Sequence, residues 1–290
     1  MGPHAAVLVL DTPIEGVASE FGDFGDNVLA LLGGAPFPLA KYQIAYSLPG
    51  IDDDVAIIEQ TFARLAAEIN AGTVRAVVLT GSRSDSFATD IPWLTRLDKF
   101  IQDVLFVRER FPIVGICFGH QVLAKNLGCK VGRNPAKNGW EAGIHTVALN
   151  KSILDIECSP FRTALLTDGG KILEHINLLQ FHRDLVYCNP PATSNHPLLA
   201  ATTFQNVGST PKCSIQGLVT ESGPVKILTF QGHPEFVSEQ ALVMLHKLLD
   251  AGLMDKSTFE RLTYNTKNLE NQGMLVGRII SDFIATYFES

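Results

Sequence analysis

The 290-residue chain has little of what would direct it to a membrane, a secretory pathway or a nucleic acid. No apolar run approaches the ~18 residues that a membrane-spanning helix needs. The N-terminus, Met1-Gly2-Pro3-His4, lacks the basic and then apolar layout of a signal peptide. With 23 basic against 30 acidic residues, the net charge of −7 argues against a nucleic-acid partner. We expect a cytoplasmic protein with neither a membrane nor a nucleic acid as its partner.

Cysteine is also scarce. Five cysteines, an odd number without CxxC spacing, indicate neither a disulfide framework nor a zinc site. Reduced thiols in a cytosolic compartment are the simplest account, and we expect no metal and no cofactor. Internal repeats and low-complexity segments are absent too. Hydrophobic content of 46% and charged content of 18% indicate an ordinary globular protein, whose length allows one or two domains.

Strand and helix patterns alternate through the first half of the chain. The predicted strands are residues 6–10, 38–46, 74–80 and 112–116, and the predicted helices are residues 24–32, 52–69 and 92–110. In the second of these helices, acidic residues of the first turn complement the helix dipole. Strands separated by helices of this length imply right-handed βαβ units and a parallel sheet. The active site then lies at the carboxyl ends of the strands.

After Gly132 the regular alternation of strand and helix patterns ends. Short strand candidates alternate with polar or Pro-rich turns, at residues 143–149, 178–186 and 215–220. They suggest antiparallel additions to the sheet. Residues 252–290 form a mostly helical tail, in which the apolar residues Leu275, Ile279, Ile280 and Phe283 suit a helix that packs back on the body. A partner-binding face is the alternative for this stripe.

The segment Val114-Gly115-Ile116-Cys117-Phe118-Gly119-His120-Gln121 is the most informative one. It joins an apolar run to an amphipathic one through a cysteine that has glycines on either side. A strand, a tight turn and a helix lift a nucleophile onto a helix N-terminus, where the helix dipole favours the thiolate. A buried cysteine at a strand end is the alternative. This segment alone favours neither interpretation over the other.

A second segment, Gln231-Gly232-His233-Pro234-Glu235, also follows an apolar run. A cysteine nucleophile needs a base within hydrogen-bond reach, and the base needs an acceptor that fixes its orientation. His233 suits the first role and Glu235 the second, with Pro234 stiffening the backbone between them. A His-Pro-Glu triplet by itself is usually a solvated turn, but beside a cysteine elbow it becomes a strong signal.

Together these two motifs, Gly-Ile-Cys-x-Gly-His-Gln and Gln-Gly-His-Pro-Glu, resemble the class I (triad-type) glutamine amidotransferases. The resemblance runs from about residue 5 to about residue 245. It implies an α/β fold of flavodoxin-like type, in which helices flank a central, mostly parallel sheet with antiparallel additions. We expect one such domain over residues 1–250 and a C-terminal helical extension over residues 251–290. The resemblance also implies Cys117 as nucleophile, His233 as general base and acid, and Glu235 as the residue that orients His233.

The resemblance extends to the groups that stabilise an oxyanion and bind the substrate. The family keeps a Gly-rich oxyanion loop after the strand that here ends in Thr80, so the implied donors are the backbone N–H groups of Phe118 and of Gly81 or Ser82. The family often has proline where Thr80 stands, which leaves the choice of donor open. A plain strand-to-helix turn is the alternative for this loop.

Three further side chains are singled out by the resemblance. Gln121 lies one helical turn after Cys117 and is expected to help bind the γ-glutamyl substrate. Glu141, in Asn138-Gly139-Trp140-Glu141-Ala142-Gly143, is expected either to receive the substrate's α-amino group or to lie in a hairpin turn. His182 is tempting as another base, but its family role is structural or substrate-facing. His120 is expected to be structural, and the other four cysteines to be core or surface residues.

Three functions are compatible with these residues. In the first, the chain acts alone as a cysteine enzyme that cleaves a γ-glutamyl amide through a Cys117 thioester, as stand-alone fungal and plant members of the family do. Its partner is then a small-molecule γ-glutamyl substrate, and a biosynthetic pathway is one setting for it. In the second, the chain is a glutaminase subunit that delivers ammonia to a separate synthetase. The third, a non-enzymatic interaction protein with the same fold, has no need of all three residues Cys117, His233 and Glu235.

Overall fold

The computed structural model describes residues 2–14, 16–46, 53–135 and 139–289. The strands are β1 (His4–Val9), β2 (Leu39–Gln43), β3 (Val74–Leu79), β4 (Pro112–Ile116), β5 (Val131–Arg133), β6 (Glu141–Leu149), β7 (His175–His182), β8 (Asp184–Val186), β9 (Thr203–Asn206), β10 (Gly208–Ser209), β11 (Leu218–Ser222) and β12 (Lys226–Phe230). The helices are α1 (Ala18–Phe21), α2 (Phe24–Leu31), α3 (Val55–Asn70), α4 (Pro92–Phe100), α5 (Phe118–Asn126), α6 (Phe161–Ala164), α7 (Pro197–Ala200), α8 (Ser238–Asp250), α9 (Lys256–Asn268) and α10 (Gly273–Phe288).

Seven strands form the central sheet in the order β2-β1-β3-β4-β12-β11-β9. The first five of these run parallel to one another, and β11 lies antiparallel to both β12 and β9. The predicted α/β fold with a mostly parallel sheet is therefore confirmed. Because β3, β4 and β12 are neighbours and parallel, the three chain segments that follow them leave the sheet at the same edge.

Both faces of the sheet are covered, as a parallel sheet requires. Alternate residues of each strand enter different apolar clusters: Leu8 of β1 packs with side chains of α3, α4 and α5, whereas Val7 packs with side chains of α2 and α10. The buried runs in β1, β3 and β4 follow from this double coverage, which removes the polar face that a half-exposed strand would show.

Two of the three antiparallel strand candidates do not join the central sheet. The candidate at 143–149 belongs to β6, which pairs with β7 and β10 in a separate three-stranded sheet. The candidate at 178–186 is split at Arg183 into β7 and β8, and β8 pairs with β5 in a third, two-stranded sheet. The antiparallel strands of the central sheet are thus limited to β9 and β11. The range of β11 overlaps the strand that was expected over residues 215–220. Apolar residues of β6 and β7 pack on α8 and α9 and form an apolar cluster separate from the two that cover the central sheet. This separate packing explains why β6 and β7 form a sheet of their own.

Two predicted helices need corrections. The helix expected over 92–110 is shorter: α4 continues into a single π turn, Ile101–Leu105, and Arg110 has φ +58°. The helix expected over 52–69 begins at Val55, where the Asp54 side chain caps it by accepting from Ala56 N and Ile57 N. Its first turn contains no acidic residue, so the expected interaction between acidic side chains and the helix dipole is not observed. The cap by Asp54 stabilises the helix N-terminus instead. Asp52 lies outside the described residues.

The C-terminal segment is helical, as expected. Ile279, Ile280 and Phe283 of α10 are buried against the sheet face that α2 also covers, and Leu275 is partly buried there. In the described ranges, no helix is both long and apolar enough to cross a membrane. The division into residues 1–250 and 251–290 remains a proposal.

Candidate active site

Cys117 lies at the sharp junction between β4 and α5. Its backbone is in an unusual conformation, with φ +52° and ψ −101°, and its N–H donates to Phe230 O at 2.8 Å. Such a conformation is strained for a residue with a side chain. Strain of this kind is typical of a nucleophile elbow, which turns the side chain away from the sheet.

Gly115 and Gly119 let the helix cross the sheet closely at this junction. A Cβ on Gly115 would lie 2.6 Å from the backbone of Gly119, and a Cβ on Gly119 would lie 2.4 Å from Leu79 O. Both distances are shorter than any real Cβ contact, so neither position accepts a side chain without backbone movement. The sequence expectation that these glycines leave room for an elbow agrees with this packing.

His233 and Glu235 follow β12, the strand next to β4. His233 Nδ1 and Glu235 Oε1 are 2.8 Å apart, and both side chains are buried. The His233 ring stacks on Phe236 with 4.1 Å between ring centroids, which fixes its plane. Cys117 lines the same cleft as His233, and its charge acts on the His233 ring. The structure thus brings Cys117 next to the hydrogen-bonded pair of His233 and Glu235, the order of residues in a catalytic triad.

The charge state of His233 depends on its two neighbours. Burial lowers the pKa of His233, but the negative charges of Cys117 and Glu235 and their hydrogen bonds outweigh it, raising this pKa to about 10. An imidazolium is therefore retained at neutral pH when the thiolate is present. In cysteine enzymes generally, an ion pair of this kind activates the thiol and supplies a proton donor beside it.

The loop after β3 lies directly over the triad. A Cβ on Gly81 would lie 3.1 Å from His233 Cε1 and 3.9 Å from Cys117 Cβ. Among the residues that the structure describes, no protein acceptor is bound by the backbone N–H of Gly81, Ser82 or Phe118. These N–H groups are available to an oxyanion, as the sequence analysis expects. Their role as oxyanion donors is a proposal.

Asp11 holds this loop in place, and the sequence analysis did not single it out. The Asp11 side chain is fully buried and accepts from Arg83 N at 2.6 Å, from Arg83 Nη2 at 2.9 Å and from Ser82 Oγ at 3.2 Å. Burial raises the pKa of Asp11 despite the opposing hydrogen bonds and charge of Arg83. The one available signal is the position of Asp11 directly after the strand predicted over residues 6–10, which indicates only the end of a strand.

Gln121 lies one turn along α5 from Cys117, as predicted, and lines the cleft above it. Its Nε2 donates to Asp184 O and to Gln231 Oε1, each at 3.1 Å. His120 is fully buried, and burial together with the charge of His182 lowers the pKa of His120 to about 3. Its Nδ1 is 2.8 Å from Thr229 Oγ1. The neutral, buried His120 thus has the structural placement that we expected.

Glu141 and His182 form a buried pair. His182 Nε2 is 2.9 Å from Glu141 Oε2, and the same carboxylate accepts from Thr210 Oγ1 at 2.6 Å and from Gln216 Nε2 at 2.9 Å. Burial raises the pKa of Glu141, but the hydrogen bond and charge of His182 outweigh it, so the net shift is downward.

Of this pair, only His182 reaches the cleft. Glu141 begins β6, so the hairpin-turn alternative is wrong, and it lies behind His182 instead of lining the cleft. Its oxygens are already bound, which does not support direct contact with a substrate amine. Asn138, in the same motif, lies outside the described residues.

The cleft over the triad has a volume of about 150 Å³, enough for a small molecule. Apolar walls come from Phe24, Phe181 and Phe236, while Arg183, stacked on Trp140, contributes charge. Asp184, another lining residue, forms an ion pair of 2.6 Å with Arg133. Burial raises the pKa of Asp184 to about 6, although the positive charge of Arg133 opposes this shift. The cleft therefore suits a small substrate that carries both charged and apolar parts.

One group of residues has the composition of a metal site. Ligand atoms of Glu141, His182 and Cys213 lie within 4.8 Å of one another. However, Glu141 already accepts from three side chains, and Cys213 Sγ donates to Ile215 O at 3.2 Å. Burial and the charge of Glu141 raise the pKa of Cys213, which disfavours the thiolate that a metal needs. The group is a hydrogen-bonded cluster whose donors and acceptors are matched.

Fold and site together define an α/β protein with a cysteine at a strained strand-to-helix turn, and comparison with known proteins identifies its family. The family model of class I glutamine amidotransferases matches residues 94–249, more than half of the chain. The chain belongs to the class I glutamine amidotransferase family. A glutamine amidotransferase-like protein of Schizosaccharomyces pombe is 29% identical over 97% of this chain and 98% of its own.

Other similarities extend to named enzymes and to a solved structure. Gamma-glutamyl peptidase 2 of Arabidopsis thaliana is 24% identical over 71% of this chain and 72% of its own. A glutamine-hydrolyzing GMP synthase of Oleidesulfovibrio alaskensis is 29% identical over 63% of this chain but only 29% of its own. A glutamine amidotransferase structure from Thermotoga maritima has a TM-score of 0.57 at 19% identity, covering 99% of both chains, and this likeness concerns the fold.

Proposed function

We propose that this protein is a cysteine enzyme that cleaves a γ-glutamyl amide through a thioester on Cys117. The observation that carries the proposal is that Cys117, held in a strained elbow, lines one small cleft with His233, whose ring is hydrogen-bonded to Glu235. Family membership supports the reaction class, and the likeness to γ-glutamyl peptidases supports a substrate with a γ-glutamyl group.

In the first half of the reaction, Cys117 Sγ attacks the γ-carbonyl carbon of the bound substrate. The carbonyl oxygen becomes an oxyanion, and the backbone N–H groups of Phe118 and of Gly81 or Ser82 stabilise it. His233 then donates its proton to the leaving nitrogen, so the C–N bond breaks and ammonia or an amine departs. Glu235 holds the imidazolium and fixes which ring nitrogen faces the thiol.

In the second half, water replaces the leaving group. His233, now neutral, takes a proton from the water as it attacks the thioester carbon. The same backbone N–H groups stabilise the second oxyanion. When the C–S bond breaks, glutamate is released and the Cys117–His233 pair is restored. Gln121 and His182 are the proposed substrate-binding side chains, with Glu141 acting through His182.

The test follows glutamate release by purified protein from glutamine, glutathione and other γ-glutamyl conjugates. Wild type should release glutamate from at least one of them, whereas Cys117→Ala should be inactive. Cys158→Ala, which changes an exposed cysteine, is the matched control and should keep full activity. If no substrate is turned over, or if Cys117→Ala is as active as wild type, the proposal is wrong.

A second candidate is a glutaminase subunit that passes ammonia to a separate synthetase. The similarity to a glutamine-hydrolyzing GMP synthase favours it, because this chain matches only 29% of that relative's length. Affinity purification from the source, followed by mass spectrometry, separates the two candidates. A synthetase that co-purifies and raises glutaminase activity would favour the subunit, and its absence would favour the stand-alone enzyme.

A further inference from the structure

Cys129 and Cys188 lie opposite each other at the end of the two-stranded sheet formed by β5 and β8. The antiparallel register pairs Val131 with Val186, Gly132 with Leu185 and Arg133 with Asp184. Continued outward by two positions, the same register places Cys129 opposite Cys188. The strands are still paired at the intervening position, since Tyr187 N donates to Lys130 O at 2.9 Å.

The contacts of the two thiols agree with this register. Lys130 N, next to Cys129, donates to Cys188 Sγ at 3.3 Å. Cys188 is also close enough to Cys129 to help raise the pKa of the Cys129 thiol. In antiparallel strands, the position beside a hydrogen-bonded pair is the closely spaced type, with ~4.5 Å between Cα atoms. That spacing lies within the roughly 4.4–6.8 Å that a disulfide spans.

We propose that Cys129 and Cys188, both free thiols in this structure, form a reversible disulfide within one chain. The oxidant is a small-molecule disulfide such as oxidised glutathione. One protein thiolate attacks a sulfur of the oxidant and releases one small thiol, giving a mixed disulfide. The second protein thiolate then attacks the protein sulfur of the mixed disulfide and releases the second small thiol. The two cysteines are thereby oxidised, and one oxidant molecule is reduced to two thiols.

Exposure assigns the order of the two attacks. Cys188 is exposed and meets the oxidant first, whereas Cys129 is buried and closes the bond. Burial and the neighbouring Cys188 raise the pKa of Cys129 to about 12, so little of it is thiolate at neutral pH. The closing step therefore accelerates as the pH rises, and mixed disulfide at Cys188 accumulates first.

The bond would join two segments that border the active-site cleft. Cys129 follows α5, whose first residue comes directly after Cys117, and Cys188 follows β8, whose Asp184 O accepts from Gln121. The covalent ring encloses about 60 residues, a length at which a crosslink restricts the unfolded chain appreciably. The oxidised protein should thus unfold at a higher temperature than the reduced one.

The experiment equilibrates the full-length wild-type protein with oxidised and reduced glutathione over a range of ratios. Free thiols are then alkylated, and the protein is digested with trypsin without reduction. Residues 126–130 and 184–212 are separate tryptic peptides with one cysteine each, so a disulfide between them has a unique mass. The linked peptide should appear in the wild type, disappear on reduction, and form faster at pH 9 than at pH 7.

Matched variants keep the result interpretable. Cys129→Ser and Cys188→Ser should lose the linked peptide, and Cys158→Ser, which changes another exposed cysteine, should retain it. Wild type in which both cysteines remain alkylatable under oxidising conditions would overturn the proposal. So would glutathione bound to Cys188 without subsequent linkage to Cys129, or a disulfide that joins two chains.

Discussion

The buried carboxylate of Asp11 accepts the backbone N–H of Arg83 at 2.6 Å and also binds the Arg83 guanidinium. This pair ties the end of β1 to the loop that follows β3. Gly81 and Ser82, whose N–H groups are the proposed oxyanion donors, therefore have their position fixed from outside the cleft. Asp11 is a positioning residue in this scheme and touches no reacting atom.

Replacing Asp11 by asparagine should impair this loop. One carboxylate oxygen becomes an amide nitrogen, which cannot accept the hydrogen bonds that Arg83 or Thr12 donates to it. We expect the free energy of unfolding to fall by about 1.5–3 kcal/mol. Displacement of the donors should lower kcat by about 10²-fold with a smaller change in KM. Steady-state kinetics and urea denaturation test both effects. Asp90→Asn, in the same loop region but exposed, should match wild type; unchanged kcat in Asp11→Asn would refute the positioning role.

Replacing Glu235 by glutamine should impair catalysis more severely. The amide retains the shape of the side chain, but it neither stabilises the imidazolium form of His233 nor fixes the tautomer of the neutral ring. We expect kcat to fall by about 10⁴-fold, as when the orienting carboxylate of a Ser-His-Asp triad becomes an amide. Glutamate release under single-turnover conditions is the measurement. Glu239→Gln, an exposed substitution on the neighbouring helix, serves as control, and wild-type kcat in Glu235→Gln would contradict the triad assignment.

The pH dependence of kcat/KM should reflect the raised pKa of His233. The imidazolium protonates the leaving nitrogen, so activity should be lost as the pH rises through about 10. Glu235 is one of the causes of this high pKa, and in residual activity of Glu235→Gln the alkaline decline should move to lower pH. A pH–rate profile of each protein checks the shift. An identical alkaline limb in both would show that Glu235 does not tune His233.

The same pKa has a consequence for stability. The pKa of His233 is about 10 in the folded protein and 6.5 in the unfolded chain, so protonation of His233 stabilises the folded state. This contribution to the free energy of unfolding is complete below about pH 6.5 and disappears as the pH rises through about 10. Urea denaturation at pH 6 and pH 10 measures it. Wild type should lose more unfolding free energy between these values than Glu235→Gln, and equal losses would argue against the ion pair.

Alanine at Gly119 should destabilise the fold. Its Cβ would lie 2.4 Å from the backbone oxygen of Leu79, so α5 would have to move away from β3. Overpacking of this kind costs about 1–3 kcal/mol or more, and the shift would also displace Cys117. Gly34→Ala is the matched control, because no atom lies within 4 Å of its added Cβ. Equal stability of the two variants, measured by denaturant unfolding, would exclude the close crossing.

Glutamine at Glu141 should act through His182. Loss of the charge leaves His182 Nε2 and Thr210 Oγ1 without their carboxylate acceptor, at a cost of about 1–3 kcal/mol in stability. If His182 contacts the substrate, KM should rise more than kcat falls. Kinetics with a γ-glutamyl substrate separate the two constants. An effect on stability alone would restrict the pair to a structural role.

The sequence was most informative where local patterns and short motifs determine the structure. The strand predicted over 112–116 matches β4, because a buried parallel strand is a continuous apolar run that ends at an obvious turn. The need of a cysteine nucleophile for a base pairs Cys117 with His233 in the sequence. In the structure both residues follow neighbouring parallel strands, β4 and β12. Their resemblance to family motifs then defined the expected fold.

What the sequence did not reveal depends on contacts distant along the chain. Asp11 binds Arg83 across more than 70 residues, so its neighbours in sequence show only a strand end. The strand expected over 178–186 breaks at Arg183 because its two parts pair with different strands, β6 and β5. Glu141 likewise lies behind His182 because of side chains from a distant loop, Thr210 and Gln216.

The order of synthesis has a consequence for when the nucleophile becomes active. β12 is inserted in the sheet between β4 and β11, although the ribosome makes it more than a hundred residues after β4. Until then β4 has a free edge, and Cys117 has neither its base nor the Phe230 carbonyl that holds its backbone. In the proposed mechanism, the thiol of the emerging chain is therefore not activated, and it becomes reactive only when β12 has joined the sheet.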